Sequence, residues 1–276
     1  MVILLQCSDR VGLVAEIAAI MAAENLNIIS MKEFVNVDEN RFYIRVEIQG
    51  SPNLEQLQTA IKKKLPEDTE ISLRPYNKKK IAVLVTKEHH CLGDILLRNY
   101  FNTLGAEVQC VIGNYSALQP LTEKFDIPFH HIAHEGKDKH VFEQEMLETL
   151  SQYEFDYIVL AKFMRILSPN FIARYPSQII NIHHSFLPAF IGAHPYKQAH
   201  ERGVKLIGAT AHFVTNVLDD GPIIAQQTIA VNHAHSVKDM MRLGREIEKS
   251  VLANALQFTF QDRVLLYHNK TIVFEN

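Results

Sequence analysis

The sequence predicts an α/β protein in two parts: an N-terminal ferredoxin-like α+β domain, then a doubly wound, mostly parallel sheet. Three observations carry this. The first part reads as strand, helix, two strands, helix, strand over about 75 residues, the βαββαβ order of a ferredoxin-like unit. From Ile81 onward, mostly apolar runs (81–86, 108–112, 157–161, 179–182) alternate with helical stretches (92–104, 118–125, 142–153). Strands apolar on both faces and separated by helices signal a parallel sheet covered on both sides. Between the two patterns, Pro75-Tyr76-Asn77-Lys78-Lys79-Lys80 is polar and contains a breaker, so it reads as a linker. The expected domains are residues 1–77 with the linker, and 78–276.

Each element has its own reason. Residues 2–7 (VILLQC) form a short apolar strand, and Leu13, Ile17, Ile20 and Met21 recur at helical spacing over 13–24. Residues 28–37 and 41–48 are β-rich and meet at Asp38-Glu39-Asn40, a hairpin signal. Leu54, Leu57, Ile61 and Leu65 mark a second amphipathic helix, and 70–73 a last strand. In the second part, Gln178-Ile179-Ile180 leads a buried strand into Asn181 and His183, and residues 207–214 form another apolar run around His212. Ser236 and Asp239 have capping-box spacing ahead of a helix through Met240, Leu243, Ile247, Val251 and Leu256. Residues 263–267 and 271–274 read as a closing hairpin.

Composition narrows the function classes. The 276 residues are 47% hydrophobic and 21% charged, as in an ordinary globular protein. A net charge of -3 and the lack of a basic stripe argue against nucleic acid as a partner. No apolar run approaches a membrane span of about 20 residues, and no signal-peptide pattern opens the chain. Cys7, Cys91 and Cys110 are odd in number and lack CxxC spacing, which fits reduced thiols and a cytoplasmic location. No GxGxxG follows the strand at Ile81, so a nicotinamide or flavin site of Rossmann type is not expected. The 14 histidines raise the question of a metal, but adjacent pairs such as His183-His184 point to opposite faces of a strand, and no HExxH or Cys/His zinc spacing is present. No metal is predicted.

The chemistry centres on residues 181–221. Asn181, His183 and Asp219 sit at the ends of apolar runs, where open α/β sheets bind ligands. Together they would supply an oxyanion donor, an acid/base, and a carboxylate that tunes the base. Each also has a plain structural reading: Asn181 as a turn cap, His183 as a satisfied core imidazole, Asp219 as a turn residue before Gly221. The residues alone leave both open. Ser185 lacks a GxSxG context and reads as a turn residue. Cys91 could be activated by the helix it precedes, or be a plain buried thiol.

Family resemblance adds to this reading. Asn181-Ile182-His183-His184-Ser185-Phe186-Leu187-Pro188, then Gly208-Ala209-Thr210-Ala211-His212-Phe213-Val214, then Leu218-Asp219-Asp220-Gly221-Pro222 resemble, in that order, the formyltransferase fold of folate enzymes. The preceding Ala161-Lys162-Phe163-Met164-Arg165-Ile166-Leu167 resembles that family's pterin-binding segment. The resemblance implies that Asn181, His183 and Asp219 are catalytic, with Asp219 rather than Asp220 standing two residues before the glycine. It also implies that Met164, Arg165, Ile166, Leu167 and His212 bind substrate.

Residues 1–77 resemble an ACT-type regulatory domain through Asp9-Arg10-Val11-Gly12-Leu13. This implies an amino-acid site at Asp9, Arg10, Gly12 and Leu13, with glycine or methionine as effector, and a homo-oligomer. A purely structural or dimerising domain is the alternative.

The loop Thr86-Lys87-Glu88-His89-His90-Cys91-Leu92-Gly93-Asp94 lacks the glycines of a phosphate cradle, and Glu88 would repel a phosphate. With the ACT-type segment followed by KEHHCLGD, AKFMRILSP, INIHHSFLPAFIGA and LDDGPII, the whole chain resembles the formyltetrahydrofolate deformylases. That resemblance implies hydrolysis of 10-formyltetrahydrofolate to tetrahydrofolate and formate, without a cofactor. Formyl transfer to an unidentified amine and a non-catalytic folate or amino-acid sensor are the competing expectations.

Overall fold

A computed structural model describes residues 1–189 and 195–275. Residues 190–194, which include the end of the NIHHSFLPAFIGA motif, lie outside the described residues. The chain divides into two compact units. The first comprises Met1–Asn77, Asp262–Leu265 and the chain from Ile272 on; the second comprises Lys78–Gln261 and Leu266–Thr271.

In the first unit, strands β1 (Val2–Ser8), β2 (Asn27–Asn36), β3 (Arg41–Gln49) and β4 (Glu70–Arg74) form an antiparallel sheet in the order β2-β3-β1-β4. Helices α1 (Leu13–Ala23) and α2 (Leu54–Lys64) supply the rest of its core. Alternation sets that core: Ile3, Leu5 and Cys7 on β1 and Phe42, Ile44, Val46 and Ile48 on β3 meet Leu13, Ile17, Ile20 and Met21 on α1 and Leu57 and Ile61 on α2. Gly12 starts α1 at φ 96°, a left-handed conformation that suits glycine. Asn53 caps α2 by accepting from the amides of Glu55 and Gln56.

The second unit is built on seven strands: β5 (Lys79–Val85), β6 (Ala106–Gly113), β7 (Phe129–His131), β8 (Tyr157–Leu160), β9 (Ile179–His183), β10 (Leu206–Phe213) and β11 (Ile223–Ala230). Their order is β11-β10-β9-β8-β5-β6-β7. Strands β5 to β9 pair in parallel, and β10 runs antiparallel to both its neighbours. The chain winds from β5 out to β7, then crosses to β8 on the other side of β5. That reversal places the loops after β5, β8 and β9 at a topological switch point, where sheets of this class open a crevice.

Helices α3 (His90–Tyr100), α4 (Gln119–Glu123), α5 (Lys139–Leu150), α6 (Pro169–Arg174), α7 (Pro195–Arg202) and α8 (Val237–Phe260) complete the unit. Strands β12 (Val264–Tyr267) and β13 (Lys270–Val273) pair near the end of the chain, with residues assigned to each unit. The expected helix over 92–104 stops at Tyr100, where Phe101 and a left-handed Asn102 (φ 56°) turn the chain. The expected 118–125 helix is a 3-10 turn, Ser116–Leu118, followed by α4. The Ser236/Asp239 capping box forms in full.

Helix α8 is tied to the unit by an acid on its buried face. Glu248 is 1% exposed and accepts from Tyr196 Oη at 2.6 Å, His90 Nε2 at 2.8 Å and Lys162 Nζ at 3.1 Å. One turn earlier, Gly244 lets the Tyr196 ring close in; a Cβ there would overlap the Tyr196 hydroxyl and ring. Burial pushes the Glu248 carboxyl up, but His90, Lys162 and Tyr196 outweigh it and hold it at about 2.

Two outcomes follow for stability. Gly244→Ala gains about 1 kcal/mol of helix propensity but loses about 1–3 kcal/mol to overpacking and breaks the Tyr196–Glu248 bond. Chemical denaturation should therefore show net destabilisation. Ionised Glu248, with its carboxyl lowered from 4.5 to about 2, contributes stability above pH 4.5 that is lost as pH falls through about 2. Glu248→Gln strands the Lys162 cation, so unfolding at neutral pH should become easier by about 3–5 kcal/mol. Its stability should also vary less with pH in that acid window.

Candidate active site

Asn181 and His183 alternate along β9, so both project from the same face of the sheet. The antiparallel register places His212 of β10 directly opposite Asn181. A bulge between Ala211 and His212 against β11 adjusts the strand at that point. Asp219 arrives from the loop after β10. It takes a left-handed backbone (φ 56°), which aspartate tolerates better than most residues. Gly221 permits the loop's return: Phe213 N–H donates to Pro222 O at 2.9 Å, and a Cβ on Gly221 would overlap the Phe213 carbonyl.

These four side chains line one cavity of about 320 Å³. His183 Nδ1 lies 3.2 Å from Asp219 Oδ1, and both side chains are buried. A carboxylate only accepts, so the bond fixes the proton on Nδ1 and leaves a lone pair on Nε2 of the neutral ring. Among the described residues, Nε2 is buried without a hydrogen-bond partner. Burial pushes the Asp219 carboxyl up, but the His183 hydrogen bond and the neighbouring histidines bring it below its ordinary value. Asp219 is thus ionised near neutral pH. Asp220 is exposed.

The Asn181 amide is oriented by His212. His212 Nδ1 donates to Phe213 O at 2.9 Å, which leaves Nε2 as an acceptor for Asn181 Nδ2–H at 3.2 Å. Burial lowers the His212 pKa and keeps the ring neutral for that role. Asn181 lines the cavity, and its Nδ2 carries a second N–H beyond the one given to His212. His184 is neutral as well, brought down to about 4 by burial and by the Lys162 ammonium.

One wall of the cavity is the segment after β8. Met164, Arg165, Ile166 and Leu167 all line it. Met164 and Ile166 are 52% and 61% exposed, as are Val217 (61%) and Leu218 (52%) opposite. Large apolar groups left open around a concave site mark a ligand surface rather than a finished core. The Met164 amide is already bound by Thr86 Oγ1 at 2.9 Å, which fixes the segment's path.

The set Asp9, Arg10, Gly12 and Leu13 lies in the first unit. Arg10 is engaged with Glu16 at 2.5 and 2.8 Å and with Lys64 O, and the Leu13 side chain belongs to the core. Ser185 spends its hydroxyl on Ala189 O at 2.8 Å. Cys91 is buried, and burial with the nearby Glu248 pushes its thiol well up, so it is no thiolate nucleophile. His90, Cys91 and Glu248 bring three possible ligand atoms within 4.8 Å of one another, but the Lys162 ammonium already sits on the Glu248 oxygen such a cation would need. Among the described residues, no helix is long and apolar enough to cross a membrane.

Sequence reasoning missed Lys162, Tyr196 and Glu248 as a group. The signal was present: Glu248 stands one turn after Gly244 on the apolar face of α8, where an acid needs buried partners.

The comparisons with known proteins agree with this architecture. Residues 1–65 match the ACT domain model and residues 79–256 the formyl transferase model. The formyltetrahydrofolate deformylase of Haemophilus influenzae is 49% identical, over 99% of this chain and 98% of that one. The corresponding protein of Bacillus subtilis is 41% identical over 99% of this chain and 93% of its own. The crystal structure of a formyltetrahydrofolate deformylase from Pseudomonas syringae pv. tomato superposes with a TM-score of 0.93 at 39% identity, covering 99% of this chain and 94% of the other. A glycinamide ribonucleotide transformylase from Symbiobacterium toebii matches 71% of this chain and 94% of its own, with a TM-score of 0.68 and 28% identity. An N-terminal ACT domain, a formyl transferase domain carrying an Asn, His and Asp around one crevice, and near full-length similarity together place this chain in the formyltetrahydrofolate deformylase family.

Proposed function

We propose that this chain hydrolyses 10-formyltetrahydrofolate to tetrahydrofolate and formate, with Asn181, His183 and Asp219 as the catalytic residues. The observation that carries the site assignment is His183 Nε2, buried and, among the described residues, unpartnered, with Nδ1 bound by Asp219. Amine transfer, the alternative the sequence raised, is not favoured, because relatives at 49% and 41% identity are named deformylases.

The steps use only groups on the cavity. Water gives a proton to His183 Nε2 as its oxygen bonds to the formyl carbon. The carbonyl electrons move to oxygen, and the open Asn181 N–H donates to that oxyanion. Asp219 stabilises the imidazolium that forms. Collapse restores the carbonyl and breaks the C–N bond, while the leaving folate nitrogen takes the proton from His183. The carboxylic acid released ionises to formate. No step calls for a metal or an organic cofactor.

The apolar rim formed by Met164, Ile166, Val217 and Leu218 suits a flat pterin, and Arg165 suits the anionic part of a folate. His212 acts through Asn181, holding its amide in register. Formate so produced would feed purine synthesis and release folate carriers in the cytoplasm. The ACT domain would take glycine or methionine near Asp9, Arg10 and the amides of Gly12 and Leu13, in a homo-oligomer.

Formate release without any amine present is the test of the reaction. Asn181→Ala should lower kcat about a hundred- to a thousand-fold, and His183→Ala and Asp219→Ala should each remove most turnover, all with unchanged circular dichroism. Rates within a few-fold of wild type in all three would reject the site.

A further inference from the structure

A second chamber, of about 310 Å³, abuts the folate cavity. Lys162, Met164 and His184 line both; Glu88, Tyr196, Arg245 and Glu248 line only the second. Glu88, Lys162 and His184 come from the loops just past β5, β8 and β9, so this chamber belongs to the same switch-point crevice. It is the side from which a second reactant could reach a formyl group held against Asn181 and His183. The hydrolysis described above makes no use of it.

Lys162 is the unusual residue there. It is 4% exposed, and its backbone sits at φ 60°, a left-handed conformation unfavourable for a long side chain. Its ammonium bonds Glu248 Oε2 at 3.1 Å. That carboxylate would otherwise attract a cationic guest, yet both its oxygens are taken: Oε1 by Tyr196, Oε2 by Lys162 and His90. Glu88, the other acid on the chamber, is bound by Arg245 Nε at 3.2 Å.

We propose, building on the deformylase reading, that Lys162 is a specificity-determining residue whose fixed ammonium bars primary amines from the second chamber and leaves water as the only acceptor. A primary amine at neutral pH arrives mostly as an ammonium. Here it meets the Lys162 ammonium already seated on Glu248, and Glu88 already held by Arg245, so an arriving cation finds no free carboxylate to offset its desolvation, a cost that water does not bear. Structural relatives that carry the transformylase name share the fold, so the choice of acceptor rests on side chains such as these.

The test uses the full chain, with glycinamide in excess as the amine probe. Formate and N-formylglycinamide are quantified together by mass spectrometry. Lys162→Gly suits the left-handed backbone, and Lys162→Met keeps bulk while removing charge. Wild type should give formate alone. The ratio of N-formylglycinamide to formate should rise about tenfold or more above the enzyme-free background in Lys162→Gly, with Lys162→Met deciding the matter if the glycine variant does not fold. A folded variant that hydrolyses the substrate but makes no more formylated amine than wild type overturns the assignment. So does amine product from wild type, or loss of all turnover in both variants, which would make Lys162 part of the hydrolytic machinery. Absence of formate from wild type without amine counts against the deformylase reading instead.

Discussion

The bond between His183 Nδ1 and Asp219 Oδ1 is the constraint on which the site depends. It selects one tautomer of a buried imidazole and thereby decides which nitrogen can take a proton. It also ties the loop after β10 to the end of β9, the strand that β10 pairs with. Without it, Nε2 would have no assigned role, and Asp219 would be a surface turn residue.

The fold supplies the geometry that this bond needs. A strand period of two sends Asn181 and His183 to one face, and antiparallel pairing with β10 sets His212 against Asn181. A left-handed Asp219 and the close approach at Gly221 then bring the carboxylate back over the sheet. Asn181 and His183 are in this way both held from behind, one by a neutral imidazole and the other by a carboxylate. Their front atoms face the cavity with defined donor and acceptor character. Such arrangement before substrate arrives is what makes electrostatic stabilisation effective.

Much of this was legible in the sequence, for identifiable reasons. Continuous apolar runs such as Ile81 to Val85 have no other use than a strand covered on both faces, so the parallel sheet was readable. Strand β7 was not, because it is three residues long and two of them are histidines. Strand β11 was missed because Gln226, Gln227 and Thr228 make it look polar, as befits a sheet edge. The choice of Asp219 over Asp220 came from resemblance, and the geometry adds a physical reason: Asp219 reaches His183, whereas Asp220 is exposed. An acid on the buried face of α8 was legible at Glu248, but its partners Lys162, His90 and Tyr196 were not, since the members are separated by up to 158 positions and no spacing rule joins them.

That cluster and the catalytic group divide the crevice between them. One presents an imidazole and an amide donor; the other presents charges already satisfied by one another. The central claim is the protonation pattern of His183, which nitrogen-15 NMR of the labelled wild-type protein reads directly, at a pH where the ring is neutral. The account predicts a protonated Nδ1 and an unprotonated Nε2. A proton on Nε2 with a bare Nδ1 would contradict it.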